Sequence, residues 1–248
     1  MGPFTDEERY RFDLQGFLVR RGALDLTEVT ELNDAVHQLG LATPHNHDIM
    51  SQRFSGHLGR HPAFVRLLDH PAVIDLVAEL CGRSARLDHA YGIVMDPGNR
   101  GLDLHGGGTP WDPAQYYSVD RFGMHTGLIA VQWAISTGKR GDGGFACVPG
   151  SHKANYATPR DLGLDDPTVV EVPLGAGDVV IFTEALTHGT LPWRGGNQRR
   201  TLLYKYSPGS SSWSDDHGPP AGLDLMSLTV RQQRLFQKPS VASHNPLG

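Results

Sequence analysis

From Ala85 onward the chain is composed of short runs of β-formers broken by Gly, Pro and Asp: Arg86 to Met95, Leu128 to Ile135, Phe145 to Val148, Val169 to Val172, Val179 to Phe182 and Thr201 to Tyr206. Several runs this short, separated by turn residues, point to a β-sandwich or barrel. The first 82 residues carry a different period. Thr5 followed by Asp6, Glu7 and Glu8 is an N-cap with an acidic first turn, leading into the apolar stretch Gly16-Phe17-Leu18-Val19. Val29, Leu32, Val36 and Leu39 recur at helical spacing and predict a helix over Leu26 to Leu39. Pro62 and Pro71 can each open a short helix, and Gly82 ends the second. Beyond Pro208 the stretch SPGSSSWSDDHGPP is loop-like, and Leu223 to Phe236 reads as a closing helix before a polar tail. No internal repeat or linker interrupts the chain. One domain over 1–248 is expected: helices over 5–82, a β core over about 85–208, and a closing helix and tail over 209–248.

Composition narrows the function. A hydrophobic content of 39% can build a substantial core, and no apolar run approaches the roughly 20 residues that cross a bilayer. The charged N-terminus lacks the apolar stretch of a signal peptide, so the expectation is a cytoplasmic protein with no membrane partner. A net charge of −5 argues against nucleic acid, because phosphate backbones call for a basic excess, and leaves a small molecule as the expected partner. With only Cys81 and Cys147, any metal must rest on His, Asp and Glu. The chain has 13 histidines, but His45, His57, His61, His70, His217 and His244 lie in polar turns or at helix ends, where a solvated imidazole is the ordinary reading. The oligomeric state is not legible.

The stretch LHGGGTP, Leu104 to Pro110, offers two chemistries. Its glycines could present backbone N–H groups to a phosphate, but such a loop needs a helix after it, and the prolines of TPWDP forbid one. The other reading makes His105 a metal ligand. Its strongest partner is His188, at the end of an apolar strand in GDVVIFTEALTHGT. Neutral imidazoles at two strand ends suit iron, zinc or copper, although either histidine taken alone would more often be structural.

The order of a strand histidine near 105, the stretch GDGGFACVPGSHK, the strand GDVVIF, His188-Gly189-Thr190 and the doublet Arg199-Arg200 resembles the phytanoyl-CoA dioxygenase family, over roughly residues 5 to 210. The resemblance implies a double-stranded β-helix (jelly roll, cupin-like), mainly β with flanking helices. It also implies an Fe(II)- and 2-oxoglutarate-dependent oxygenase acting with O2 on a small molecule. His105 and His188 would be the iron ligands, and Thr190 a hydroxyl near the 2-oxoglutarate carboxylate. An arginine about eleven residues after the distal histidine would pair with that carboxylate, which indicates Arg199. A guanidinium suits a planar carboxylate better than an ammonium. Strand alternation puts Arg199 and Arg200 on opposite faces, and Arg200 shares the more apolar one with Leu202, Tyr204 and Tyr206, so it stays as the alternative.

The family pattern is His-x-Asp, completing a triad of two histidines and a carboxylate. Here the third position is Gly107. The gap could be left to water or chloride, as in related halogenases. It could be filled by Asp103, which shares a strand face with His105, or by Glu184, if the chain turns before His188; Asp112 and Asp120 are weaker candidates. Or the metal could be lost, leaving a cupin-like binding protein. The expected reaction is oxidation of an aliphatic C–H, typically hydroxylation, with halogenation as the alternative. His89, Tyr91 and Trp133 are candidate pocket residues with core packing as the plain alternative, Trp193 is another with cover of the sandwich edge as its alternative, and His125 is ambiguous. The group His45-Asn46-His47-Asp48 is expected to be solvent-exposed, and Ser151 and Lys153 are expected to hold a turn.

Overall fold

The computed structural model describes residues 2–41, 51–107, 112–159, 161–215 and 218–241. The group at 45–48 and the residues from Gly108 to Trp111 lie outside them. The helices are α1 (Asp6–Gln15), α2 (Leu26–Gln38), α3 (Pro62–Arg66), α4 (Ile74–Cys81) and α5 (Val230–Leu235). The strands are β1 (Phe17–Arg20), β2 (Gln52–Ser55), β3 (Arg86–Met95), β4 (Leu102–His105), β5 (Tyr117–Asp120), β6 (Gly123–Thr126), β7 (Ile129–Ala134), β8 (Gly144–Cys147), β9 (Val170–Glu171), β10 (Val179–Thr183), β11 (His188–Leu191) and β12 (Arg199–Ser207).

A six-stranded sheet in the order β1-β10-β7-β12-β3-β2 faces a four-stranded sheet, β4-β11-β8-β9, and all pairings are antiparallel. This is the expected jelly roll. Both faces of the large sheet are covered, which is why β7, β10 and β12 are buried almost without interruption rather than on alternate residues. Ile129, Val131, Trp133, Ile181, Leu202 and Tyr204 face the helices and pack with Leu32, Val36, Phe64 and Val77. Ala130, Ala134, Val180 and Phe182 face inward against Phe145, Cys147 and Leu186. The Tyr204 and Tyr206 hydroxyls donate to the carbonyls of Phe64 (2.6 Å) and Leu68 (2.8 Å), fastening the helical layer to β12.

Local sequence fixes the element ends. Capping boxes of Thr5 with Glu8 and Asp25 with Glu28 start α1 and α2. Gly16 ends α1 at φ 82°, where a Cβ would lie 2.6 Å from the His152 ring. The closing helix is shorter than the apolar spacing predicts. Asp224 caps a 3₁₀ turn over Leu225–Ser227, and a second capping box, Thr229 with Gln232, starts α5 afresh. The hairpin β5–β6, β2 and the short β4 escape the sequence pattern because each is only four residues long.

His57 corrects a sequence expectation. It is fully buried, its ring edge-on to Phe54, Phe64 and Tyr204, and neither nitrogen has a hydrogen-bond partner. The 3₁₀ turn that carries it folds inward under β2, a tertiary effect that turn composition does not encode. Burial pushes its pKa down to about 4. The unfolded chain therefore binds a proton between pH 6.5 and 4 that the folded chain refuses, so stability is full at pH 7 and falls as the pH drops through that window. The site alone accounts for roughly 2 kcal/mol between pH 7 and pH 5. His57→Phe is expected to keep stability at pH 7 and flatten the acid limb in urea melts. An acid limb as steep as that of the parent protein would show that His57 is not responsible.

Candidate functional site

Strands β4 and β11 pair so that His105 and His188 are direct neighbours, with ring centroids 4.2 Å apart. The Nδ1 of His105 lies 2.9 Å from the Asp103 carbonyl, and that of His188 lies 2.7 Å from the Leu186 carbonyl. A carbonyl can only accept, so both Nδ1 atoms carry the proton and both Nε2 lone pairs are left for a cation. A backbone carbonyl that orients a ligating imidazole in this way is a common support for metal-bound histidine. Burial pushes the His188 pKa down to about 4 and keeps the ring neutral.

The segment after His105 turns sharply at Gly106 (φ 78°) and Gly107 (φ 91°). A Cβ on Gly106 would lie 2.7 Å from the carbonyls of Glu184 and Leu186, and one on Gly107 would lie 3.2 Å from Thr187 Oγ1. The Gly107 N–H donates to the Glu184 carbonyl at 3.2 Å. The glycines therefore serve a close approach to the 184–187 turn as well as the bend itself. Asp103 contributes its carbonyl, and the residue itself is exposed.

Glu184 is buried in that turn, with its Oε1 3.9 Å from His188 Nε2 and 2.9 Å from Lys205 Nζ. Burial raises the Glu184 pKa, but the Lys205 ammonium beside it outweighs burial and holds the carboxyl below its usual range. Burial likewise works against the Lys205 ammonium, and Glu184 reverses it, keeping the lysine charged. Among the described residues, no three His, Cys, Asp or Glu side chains stand in metal-ligating geometry. The arrangement is two imidazoles with a carboxylate a short step away.

Deeper between the sheets lies Arg199. It is buried, and its pKa is pushed down to about 10 by desolvation alone. Among the described residues no carboxylate pairs with it, and its Nη1 touches only Met95 Sδ, at 3.2 Å. The small chamber around it is walled by Gly143, Gly144, Phe145, Trp193 and Thr201. Thr201 Oγ1 and, further along the inward face, Gln132 Nε2 are buried without partners. A guanidinium and free polar groups held in a cleft call for an anionic guest of carboxylate type. Gly144 keeps the cleft open, for at φ 95° a Cβ there would lie 3.0 Å from Arg199 Nε. Gly144→Val is expected to weaken 2-oxoglutarate binding at least about tenfold in calorimetric titration, because both the backbone angle and the guanidinium must move. Unchanged affinity would place the carboxylate elsewhere.

The other candidates divide by strand face. Arg200 points to the helical side, where Nη1 donates to Asn33 Oδ1 (3.1 Å) and Nε to Gln198 Oε1 (2.7 Å). The apolar face that it shares with Tyr204 and Tyr206 is the helix-covered one. Trp133 is likewise on the helical side, edge-on to His70, and does not line the space between the sheets. Trp193 walls the Arg199 chamber and donates to the Asn197 carbonyl at 2.6 Å. Thr190 follows His188 by two residues on β11, opposite Phe145. His89 and Tyr91 stack, with centroids 5.8 Å apart, beside an open cavity of about 450 Å³. Asp112 caps the turn at Ala114, and Asp120 pairs with an exposed His125. Ser151 Oγ accepts from the Thr187 N–H (2.8 Å) and Lys153 Nζ donates to the Asp13 carbonyl (2.7 Å), so VPGSHK fastens α1 to the turn before His188. Sequence reasoning missed Lys205, Gln132 and Thr201. The signal for Lys205 was a lysine inside the apolar run TLLYKY.

A jelly roll with paired strand-end histidines beside a buried arginine is the architecture of the Fe(II)- and 2-oxoglutarate-dependent oxygenases. The profile of the phytanoyl-CoA dioxygenase family (PhyH) matches residues 12–201, and the chain belongs to that family. HygX from Streptomyces hygroscopicus with nickel and 2-oxoglutarate bound is similar at 25% identity and a TM-score of 0.75, over 84% of this chain and 89% of that one. HygX with nickel, 2-oxoglutarate and hygromycin B bound is similar at 26% identity and a TM-score of 0.75, over the same shares. SnoK, a non-heme α-ketoglutarate-dependent carbocyclase from nogalamycin biosynthesis, shares the fold at 20% identity and a TM-score of 0.66, over 90% of this chain and 97% of that one. No curated protein sequence matches. Among the described residues no helix is long and apolar enough to cross a membrane.

Proposed function

We propose that this protein is an Fe(II)- and 2-oxoglutarate-dependent oxygenase that hydroxylates an aliphatic C–H of a polar small molecule. The observation that carries the reading is the buried, acid-free guanidinium of Arg199 in the same inter-sheet space as two histidines whose Nε2 atoms are free. His105 and His188 hold the iron. Arg199 pairs with the distal carboxylate of 2-oxoglutarate, Thr190 adds a hydroxyl, and the unpartnered Thr201 and Gln132 donate along the chamber. The bound iron and 2-oxoglutarate supply dioxygen activation, with a C–H substrate, 2-oxoglutarate and O2 giving an alcohol, succinate and CO2. The chain's own part is to orient both imidazoles through backbone carbonyls, fix the cosubstrate in a dry cleft and place the substrate beside it.

The cavity of about 450 Å³ bordered by Arg53, Ser55, Asp88, His89, Tyr91 and Trp213 is the substrate chamber. Tyr91 links it to the site, for its ring centroid is 5.8 Å from Lys205 Nζ. Its polar lining suits a hydroxylated substrate, and HygX with hygromycin B bound supports that class. Halogenation is the second reading, because Gly107 leaves the family's carboxylate position without a side chain. The test is succinate release across a panel of polar metabolites with Fe(II), O2 and 2-oxoglutarate, with chloride present and absent. Succinate matched by a hydroxylated product is expected. A chlorinated product would select the second reading, and no 2-oxoglutarate turnover with any panel member would overturn both.

A further inference from the structure

The glycine at 107 displaces a carboxylate without removing its chemistry. A site of two neutral imidazoles gives a divalent cation no charge compensation, and hard cations in oxygenase sites take a carboxylate as third ligand. A side chain at Gly106 would strike the carbonyls of Glu184 and Leu186, and one at Gly107 would have to adopt the φ of 91° that favours glycine. Glu184 belongs to the turn that the glycines approach, and its side chain borders the histidines. Its Oε1 lies 3.9 Å from His188 Nε2, and two donors on one ion, each about 2.1 Å from it, can stand at most about 4.2 Å apart. As they stand the three side chains are not in ligating geometry, so coordination requires Glu184 to leave Lys205 and move toward the histidines. Asp103, a further acidic candidate, meets the His105 ring through its backbone carbonyl.

A second observation concerns cost. Burying a glutamate and a lysine together gains little over apolar residues, because desolvation consumes the attraction. Glu184 is held by Lys205 as a close ion pair at 2.9 Å. A carboxylate buried at the edge of an imidazole pair and held by a lysine is suited to exchange that partner for a cation.

We propose that Glu184, delivered by the turn between β10 and β11, is the third protein ligand of the metal, and that Lys205 holds the carboxylate in place when the ion is absent. The inference rests on His105 and His188 being the other two ligands. It replaces the position two residues after the proximal histidine with one four residues before the distal histidine. A carboxylate there occupies the site that a halide would need, and so favours hydroxylation.

The experiment is titration of the full-length protein with Co(II) under nitrogen, read by visible absorption, with thermal melts to confirm folding. Glu184→Gln alone strands the Lys205 charge, so the deciding variant is Glu184→Gln with Lys205→Met, which removes both charges together. The pair variant is expected to bind Co(II) at least about a hundredfold more weakly than the parent, because a ligand is lost and not merely its support. Asp103→Asn is expected to bind as the parent does, and chloride to leave the parent's Co(II) spectrum unchanged. Parent-like affinity in a folded pair variant, or a chloride-dependent spectrum in the parent, would overturn the assignment of Glu184 while leaving the two-histidine site intact. A parent protein that binds no Co(II) would overturn the two-histidine site and this inference together.

Discussion

Arg199→Met is expected to abolish detectable 2-oxoglutarate binding without destabilising the apoprotein. The residue is an uncompensated buried charge, with burial alone moving its pKa to about 10, so in the absence of a guest the guanidinium costs folding energy. Methionine fills much the same length beside Met95 and Phe145 and carries no charge into the chamber. With 2-oxoglutarate the balance reverses. Losing one partner of a buried, hydrogen-bonded charge pair costs about 2–5 kcal/mol, or roughly thirtyfold to several thousandfold in affinity. Thermal melts of parent and variant, with and without 2-oxoglutarate, separate the two effects. The parent's melting temperature should rise with ligand and the variant's should not, while the apo variant melts at or above the apo parent. An apo variant that melts far lower would make Arg199 a structural residue. Arg200→Met should leave 2-oxoglutarate binding intact, since Arg200 serves Asn33 and Gln198 on the other face.

The second large effect is removal of an imidazole. His105→Ala and His188→Ala are each expected to lose metal affinity by more than about a hundredfold, exceeding the change seen when a supporting group is lost. Their stability costs should differ. His105 is exposed, and truncation there belongs with surface changes of within about 0.5 kcal/mol. His188 is 5% exposed, packed against Phe182 and Phe145, and its loss opens a cavity costing about 1–3 kcal/mol. Metal titration and urea melts on the pair would show equal loss of binding with unequal loss of stability. Metal affinity retained in either variant would remove that histidine from the site.

The main strands were legible because β-formers between turn residues leave few architectures, and the ends of β3 agree with the residues read from the pattern. The sheet faces were less so. The sequence pattern marks which residues of a strand share a side, but not which side meets the second sheet when helices cover the other. Arg200 and Trp133 were ambiguous for that reason, and the alternation that separates Arg199 from Arg200 became decisive only once α2 was seen against the Arg200 face. His57 went unrecognised as a core residue because its turn folds inward through packing with Phe64 and Tyr204. At the site, the histidines and Arg199 follow from motif and spacing. Lys205 does not, because its importance lies in a neighbour distant in sequence at the end of β10, and Glu184 could be named only on condition that the chain turned between it and His188.

The central claim is that His105 and His188 present iron to a 2-oxoglutarate held by Arg199. Anaerobic addition of Fe(II) and then 2-oxoglutarate to the apoprotein tests all three groups together. A visible metal-to-ligand absorption band should appear in the parent and be absent from both His105→Ala and Arg199→Met at the same ligand concentration. A parent protein that develops no band, or an Arg199→Met protein that develops the parent's band at the parent's affinity, would contradict it.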